Sequence, residues 1–173
     1  MEEWQLQQIM DEHAEYLLKV AYVYTKNWAY AEEVVQDVFF KFYKRSEQFE
    51  GRAKLRTYLV KMTANQAQDY LKSWRYKKEL LLESLHVKSL EHRFTTQPFE
   101  VALEQSGLIQ KMMHLPVQSR AILYLYYYEE MTIRELSELL KITEGNVRTK
   151  LSRARVQLKD IYSFQEKEVF PNG

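Results

Sequence analysis

The side chains best suited to bind a polyanion lie near the carboxyl end of the sequence. Residues 144–159 carry five Lys or Arg side chains against one acid, a net charge of +4. At about 100° per residue of an α-helix, Thr149, Ser152 and Arg153 lie opposite the apolar positions, and Arg148 flanks that outward face. Arginine can pair bidentately with guanine in the major groove of DNA, and small hydroxyls can approach base edges. This segment is therefore predicted to be a DNA-reading helix.

The basic side chains on the flanks of that helix have a different expected role. Lys150 and Arg155 lie nearer its sides, where we expect contacts to phosphates, which position a protein without specifying sequence. The predicted inward stripe comprises Val147, Leu151, Ala154, Leu158 and Ile161. The other interpretation of this pattern is an ordinary amphipathic helix whose Lys and Arg side chains are solvated. The segment before the helix distinguishes the two interpretations.

A short helix with a strong start signal precedes the basic helix. Thr132 and Glu135 have the spacing of a capping box, in which each side chain satisfies a backbone N–H of the other. Thr143 can cap the basic helix in the same way. Pro116 predicts the start of an earlier helix, because proline is tolerated at the first helical position. A short helix, a tight turn and a longer basic helix form the order of a helix-turn-helix.

Charges in the first half of the chain are separated by sign. Residues 1–40 have a net charge of −6 and residues 41–78 one of +8. Two basic segments behind an acidic one favour two contacts with a polyanion and one with another partner; solvated helix faces are the plainer interpretation. Tyr58 and Trp74 continue the apolar spacing and are predicted to pack in the core.

The elements that position these side chains are predicted to be helices throughout. Only four Gly and three Pro interrupt the chain, and its Leu, Lys, Glu, Gln and Ala favour helices. Apolar residues recur at helical spacing between residues 16 and 24 and between residues 34 and 42. The pattern loosens over residues 79–105. We therefore predict an all-α protein of two small helical domains, residues 1–78 and 106–173, joined by a linker over residues 79–105.

No residue pattern indicates a cofactor, a metal site or a catalytic residue. The absence of cysteine excludes disulfides, thiolate zinc sites and cysteine nucleophiles. A dimetal helical bundle requires a repeated Glu-x-x-His, whereas the sequence has it once, from Glu83 to His86. No signal peptide or membrane span is evident, so we expect a cytoplasmic protein without stable membrane insertion. A helical metalloenzyme is the weakest alternative.

Three blocks of the sequence resemble the extracytoplasmic-function (ECF) sigma factors of the sigma-70 family, promoter-recognition subunits of bacterial RNA polymerase. The run from Tyr30 to Tyr43 resembles the region 2 helix that binds the polymerase clamp. Phe49-Glu50-Gly51, Thr57-Tyr58-Leu59, Asn65 and Asp69-Tyr70-Leu71-Lys72 resemble the segment that melts and captures the −10 element. Leu115-Pro116, Arg120 and residues 131–158 resemble region 4, which reads the −35 element. The blocks occur in the family's order, with a linker between the second and the third.

The resemblance implies partners and site residues. Core RNA polymerase, through its clamp and flap, and promoter DNA are the expected partners, and an anti-sigma factor is the expected inhibitor of a protein that is monomeric when free. The implied polymerase-binding residues are Glu32, Glu33, Gln36, Asp37 and Phe40. The implied −10 residues are Asn65, Asp69, Lys54, Arg56 and Arg75, with Asn65 as the preferred base contact. Basic side chains interleaved with aromatics and amides suit a site that holds a base outside the stack; Lys77 and, as the less favoured alternative to core packing, Trp74 are placed for the same site. The implied −35 residues are Arg148, Thr149, Lys150, Ser152, Arg153 and Arg155. Such a protein is a stress-response regulator of transcription and not an enzyme.

Several positions depart from the pattern of that family. Tyr58 replaces a usual Trp, Gln66 and Gln68 stand where apolar residues are common, and Ala64 stands where a basic residue is frequent. Lys141 fills the turn position where Gly is usual, and a left-handed non-glycine residue costs roughly 1 kcal/mol. The first four departures affect which −10 sequence the protein would prefer. The fold can tolerate the backbone cost at Lys141.

A polymerase-independent helix-turn-helix regulator is the main alternative function. Such a protein would dimerise through its N-terminal domain and bind a palindromic operator, whereas a sigma factor binds polymerase one to one and needs it to recognise a promoter. The triplet Tyr126, Tyr127 and Tyr128 could belong to an interface with an inhibitor or pack in the core. We predict packing for this triplet.

Overall fold

The computed structural model describes residues 1–46, 54–81 and 107–169, with side chains as far as residue 73 in the second range and residue 162 in the third. In these ranges the chain forms seven α-helices and no strand, which confirms the all-α prediction. The helices are α1 (Glu3–Thr25), α2 (Trp28–Lys44), α3 (Leu55–Leu81), α4 (Gly107–Met113), α5 (Val117–Tyr127), α6 (Ile133–Leu140) and α7 (Glu144–Val169).

The chain divides into two compact units, residues 1–95 and 96–173. Helix α3 continues to Leu81, three residues beyond the predicted end of the first domain. Residues 82–106, which contain most of the predicted linker and the Glu83 to His86 pattern, lie outside the described residues. The predicted domain boundaries therefore remain predictions.

In the first unit, α1, α2 and α3 all pack on one another. The apolar residues at helical spacing in α1 and α2 form the core, and several of them are fully buried: Leu17, Val20, Ala21, Val34 and Val38. Leu59 and Ala67 supply the buried face of α3. Asn27 separates α1 from α2 and caps α2, since its side chain accepts a hydrogen bond from the Tyr30 N–H at 3.1 Å.

In the second unit, α7 packs against α4, α5 and α6. Helix α5 is buried over six consecutive residues, from Arg120 to Leu125, because it is covered on more than one side. Pro116 stands at the N-cap of α5 rather than at the predicted first helical position. Its carbonyl accepts hydrogen bonds from the N–H groups of Ser119 and Arg120, so it still starts the helix.

None of the helices in the described ranges has an apolar stretch long enough for a membrane span.

Candidate nucleic-acid interface

The turn between α6 and α7 is held by local hydrogen bonds. The Thr132 hydroxyl accepts from the Glu135 N–H at 3.1 Å, and the Glu135 carboxylate accepts from the Thr132 N–H at 2.9 Å, which confirms the predicted capping box. Lys141 ends α6 in the left-handed conformation, with φ 54° and ψ 44°. The Ser137 hydroxyl donates to the Ile142 carbonyl at 2.6 Å across the turn. These bonds set the direction in which α7 leaves the turn.

Helix α7 begins as the sequence predicts and buries the predicted stripe. The Thr143 hydroxyl accepts from the Asn146 N–H at 3.2 Å, which caps the helix. Val147, Leu151 and Ala154 are at most 2% exposed. Leu158 and Ile161, further along the stripe, are half-buried, so the packing is tightest in the first three turns.

The face of α7 opposite that stripe is accessible. Arg148, Thr149, Ser152 and Arg153 are all exposed, as is Lys150 on one flank. Arg148 pairs with Glu144, one turn earlier, at 3.3 Å, and the Thr149 hydroxyl donates to the Gly145 carbonyl at 3.1 Å. A helix anchored on one side and basic on the other has the form that enters a major groove.

Val156 extends this exposed face and was not among the predicted residues. Its side chain is 57% exposed and lies one turn beyond Ser152 and Arg153. An apolar side chain in a major groove can contact the methyl group of thymine. The helical spacing that places Ser152 outward also places Val156 outward. Val156 was not predicted because the candidate residues were chosen for basic or hydroxyl side chains.

Arg155 is held by its own molecule more firmly than the sequence predicts. Its Nε donates to the Tyr127 hydroxyl at 2.7 Å. On the opposite flank of α7, Gln157 forms a hydrogen bond of 2.6 Å with Ser119. Two side-chain bonds therefore fix α7 against α5.

The packing interpretation of the tyrosine triplet is wrong for two of its members. Tyr127 is 53% exposed and Tyr128 is 37% exposed, although Tyr128 stacks on the buried Tyr124 with ring centroids 4.9 Å apart. Tyr126 is half-buried. The triplet lies at the carboxyl end of α5, where its first residue is the most buried of the three.

The predicted −10 residues do not all share one surface. Asn65 and Asp69 are exposed one turn apart on α3 and lie on the same face. Arg56 lies about 180° around the helix from Asn65, and its guanidinium lies 3.9 Å from the centroid of the Tyr16 ring on α1. Lys54 is exposed just before the helix begins. The side chain of Arg75 and residues 47–53 lie outside the described residues, as does the side chain of Trp74.

The glutamines that depart from the family's pattern have polar partners on other helices. Gln66 accepts a hydrogen bond from the Lys41 ammonium and donates one to the Asp37 carboxylate at 3.0 Å, so it joins α3 to α2. Gln68 lies near the buried hydroxyl of Tyr24, and burial raises the pKa of that hydroxyl to about 12 although Gln68 acts to lower it. Tyr58 contacts Phe42, with centroids 6.2 Å apart, as predicted for a packed side chain.

Four of the five predicted polymerase-binding residues share a face of α2. Glu33, Asp37 and Phe40 are exposed, Gln36 is half-exposed, and their spacing places them on adjacent turns. Glu32 differs, because it is only 3% exposed and points into the first unit. Charge patterning could not distinguish Glu32 from Glu33.

Tyr70 on α3 lies close to this acidic helix. Burial raises the pKa of its hydroxyl above the ordinary value, and the nearby Glu33 carboxylate and Tyr30 raise it further.

His13 is buried in the first unit. Its Nδ1 lies 2.9 Å from the Tyr16 hydroxyl. Burial lowers the pKa of His13 below 6.5, Arg56 lowers it further, and Glu12 opposes both.

Among the residues that the structure describes, no three His, Asp or Glu side chains are grouped as metal ligands would be.

Comparison with known proteins identifies both units. Residues 9–76 match the model of Sigma-70 region 2, and residues 107–158 match that of Sigma-70, region 4. The ECF RNA polymerase sigma factor SigM of Bacillus subtilis is 29% identical over 139 residues, which cover 80% of this chain and 83% of that protein. The chain belongs to the ECF sigma factors of the sigma-70 family.

Two further comparisons agree with this assignment. The probable RNA polymerase sigma factor RfaY of Xanthomonas campestris is 30% identical to this sigma factor over 82% of the chain, although the match spans only 36% of RfaY. The sigma factor RpoE of Bartonella quintana, solved in complex with the anti-sigma factor NepR, has a TM-score of 0.68 at 17% identity. That likeness covers 92% of this chain and 97% of RpoE, and it shows the shared fold.

The family places each unit of the sigma factor in transcription initiation. Region 2 comprises most of α1, all of α2 and α3 as far as residue 76, and region 4 comprises α4 to the middle of α7. Sigma factors bind core RNA polymerase and promoter DNA. A polymerase-independent regulator does not account for region 2, so that alternative is set aside.

Proposed function

We propose that α7 of this sigma factor reads the −35 element while the exposed face of α3 captures the melted −10 element. The observation that carries the proposal is the division of α7 into a buried apolar side and an accessible side bearing Arg148, Thr149, Ser152, Arg153 and Val156. Arg148 and Arg153 are the base readers, because their guanidinium groups can bind guanine bidentately. Lys150 and Arg155 bind phosphates.

On α3, Asn65 is the proposed contact to a base edge. Its amide can both donate and accept hydrogen bonds, and Asp69 is exposed on the same face one turn later. Lys54 and Arg75 are proposed to bind the backbone of the separated strands. Arg56 is proposed to have a structural role, because its guanidinium stacks on the Tyr16 ring and so joins α3 to α1.

The proposed surface for the polymerase clamp is the exposed face of α2. Glu33 and Asp37 supply negative charge there, and Phe40, which is 58% exposed, supplies apolar area. Such a face suits a basic helical partner, since complementary charge directs association and buried aromatic area stabilises the complex. Glu32 is excluded from the surface by its burial. The flap of the polymerase is proposed to bind region 4.

The sigma factor is proposed to act in the cytoplasm, under the control of an anti-sigma factor and without enzymatic activity of its own. The solved complex of the related RpoE with NepR is the basis for the inhibitor. The proposed domains are residues 1–78 and 106–173, with residues 79–105 as their connection. Free of polymerase, the chain is proposed to be monomeric.

Run-off transcription with purified core polymerase tests this proposal. The intact chain is compared with the double variant Arg148→Ala, Arg153→Ala and with Asn65→Ala. Each lost bidentate contact should weaken promoter binding by ~1–3 kcal/mol, and Asn65→Ala should reduce strand opening more than duplex binding. The matched control is Arg134→Ala, an exposed arginine on α6 paired with Glu138. Full transcription by the double arginine variant would show that α7 does not read the promoter.

A further inference from the structure

Tyr127 connects α5 to the DNA-reading helix through one side chain. Its hydroxyl accepts the hydrogen bond from Arg155 Nε at 2.7 Å. The guanidinium carbon lies 5.6 Å from the centroid of the Tyr127 ring and 5.7 Å from that of Tyr126. The two rings meet edge to face, with centroids 5.0 Å apart. Arg155 is therefore oriented by two aromatic rings as well as by a hydrogen bond.

This arrangement leaves the far end of the guanidinium available. An arginine presents five N–H donors in a rigid planar fork, and Tyr127 occupies the donor on Nε. Among the side chains that the structure describes, Arg155 has no carboxylate partner, and its side chain is exposed. The two terminal nitrogens are thus free to bind a phosphate end-on, which is the bidentate geometry typical of arginine.

The position of Arg155 on α7 suits such a contact. It follows Arg148 by seven residues, which is about two turns, and lies ~10 Å further along the same flank of the helix. A recognition helix contacts base edges mainly with its N-terminal residues. A side chain two turns later on the same flank lies nearer to the sugar-phosphate backbone at the edge of the groove.

We infer that Tyr127 is a positioning residue for promoter DNA: it holds Arg155 so that the terminal nitrogens bind a backbone phosphate of the −35 element. Holding the guanidinium in place before binding reduces the entropy that the complex loses when the contact forms. The phosphate contact also sets how deeply α7 lies in the groove, and so supports base reading by Arg148. This inference rests on the proposed function of α7.

The experiment measures binding of the polymerase complex of the sigma factor to a duplex carrying the −35 element, over a series of salt concentrations. Tyr127→Phe keeps the ring and removes the hydroxyl; it should weaken binding about fivefold, equivalent to ~1 kcal/mol. Arg155→Ala should weaken binding and reduce the slope of log affinity against log salt by about one. In the Arg155→Ala background, Tyr127→Phe should have no further effect.

Tyr128→Phe is the matched control. It removes a hydroxyl from the next residue, which stacks on Tyr124 and makes no contact with Arg155 among the described contacts, so binding should be unchanged. Both tyrosines border a cleft of about 370 Å³, lined also by Leu108, Met112, Leu158 and Tyr162. A protein partner in this cleft would therefore respond to both substitutions.

Three results would overturn the inference. Tyr127→Phe could leave DNA affinity unchanged, could weaken binding equally with and without Arg155, or could weaken binding to core polymerase instead of DNA. The double variant Arg148→Ala, Arg153→Ala is measured in parallel. If that variant binds normally, the proposed function itself fails; if it loses binding while Tyr127→Phe does not, only the role of Tyr127 fails.

Discussion

The basic side chains of α7 differ in how far their own molecule already engages them. Arg148 is paired with Glu144 at 3.3 Å, but an exposed pair one turn apart stabilises a helix by only ~0.3–0.5 kcal/mol. A bidentate contact to guanine discriminates by ~1–3 kcal/mol, so DNA can displace Glu144. Arg155 is held by a hydrogen bond and two rings, which leave its terminal nitrogens free. Arg148 is therefore suited to exchange partners, and Arg155 to keep its orientation.

His13 makes the stability of region 2 depend on pH. Because its pKa is below 6.5 in the folded chain, the folded state binds fewer protons than the unfolded state wherever the unfolded histidine is protonated. The contribution of His13 to the free energy of unfolding is therefore fully present above pH 6.5. It is lost as the pH falls through the lowered pKa of the folded state. We expect His13→Gln to make unfolding of region 2 less dependent on pH between about pH 7 and about pH 5.

Tryptophan fluorescence during urea unfolding measures this effect. The three tryptophans, Trp4, Trp28 and Trp74, all belong to residues 1–95, so the signal reports on the first unit. His114→Gln, at an exposed position in the second unit, is the control. An equal pH dependence in the intact chain and in His13→Gln would rule out His13 as the cause.

At the scale of elements, the helix-turn-helix depends on short-range bonds at the helix ends. The capping box at Thr132, the cap at Thr143 and the bond from Ser137 to Ile142 together fix the start of α6, the start of α7 and the turn between them. Each such cap contributes ~1 kcal/mol. The direction of α7 thus depends on these local bonds as well as on the packing of its apolar stripe against α5 and α6.

Lys141 is the weak point of this element. Its φ of 54° lies in the left-handed region, which favours glycine. We expect Lys141→Gly to stabilise region 4 by up to ~1 kcal/mol, less the added entropy of the unfolded chain. Hydrogen exchange of the buried Leu151 amide measures the change.

Lys150→Gly provides the comparison for that substitution. Residue 150 lies in the interior of α7 and is exposed, so glycine there should destabilise by ~1 kcal/mol. If both glycine substitutions destabilise region 4 alike, the strain assigned to Lys141 is absent.

At the scale of the whole molecule, two DNA-binding units in one chain act with an effective concentration set by the segment that joins them. An inserted Gly/Ser segment as long as the proposed connection, residues 79–105, should lower promoter affinity only ~3-fold, because effective concentration falls roughly as the −3/2 power of length. Promoter binding by the polymerase complex measures this change. The same segment appended after residue 173 is the control.

A much larger loss would contradict that expectation. It would mean that the connection over residues 79–105 sets a defined spacing itself, instead of leaving the spacing to core polymerase.

Helix periodicity and end signals, read from the sequence, determined the all-α class, the buried stripes of α1, α2 and α7, and the caps at Thr132 and Thr143. These features depend on residues three or four positions apart, and their geometry is the same in any α-helix. The exposed face of α7 followed from the same periodicity, and three blocks in the correct order indicated the family. The roles assigned to individual site residues remain predictions.

Only the tertiary structure decided which polar side chains are available to partners. Glu32 is buried beside an exposed Glu33, Arg56 stacks on Tyr16, Gln66 joins Asp37 to Lys41, and Tyr127 lies at the surface where it holds Arg155. Each of these outcomes depends on packing between helices, and the Tyr127–Arg155 bond joins residues 28 positions apart. Helical spacing carries no information about contacts at that distance, because the crossing of two helices is set by the packing of their apolar faces.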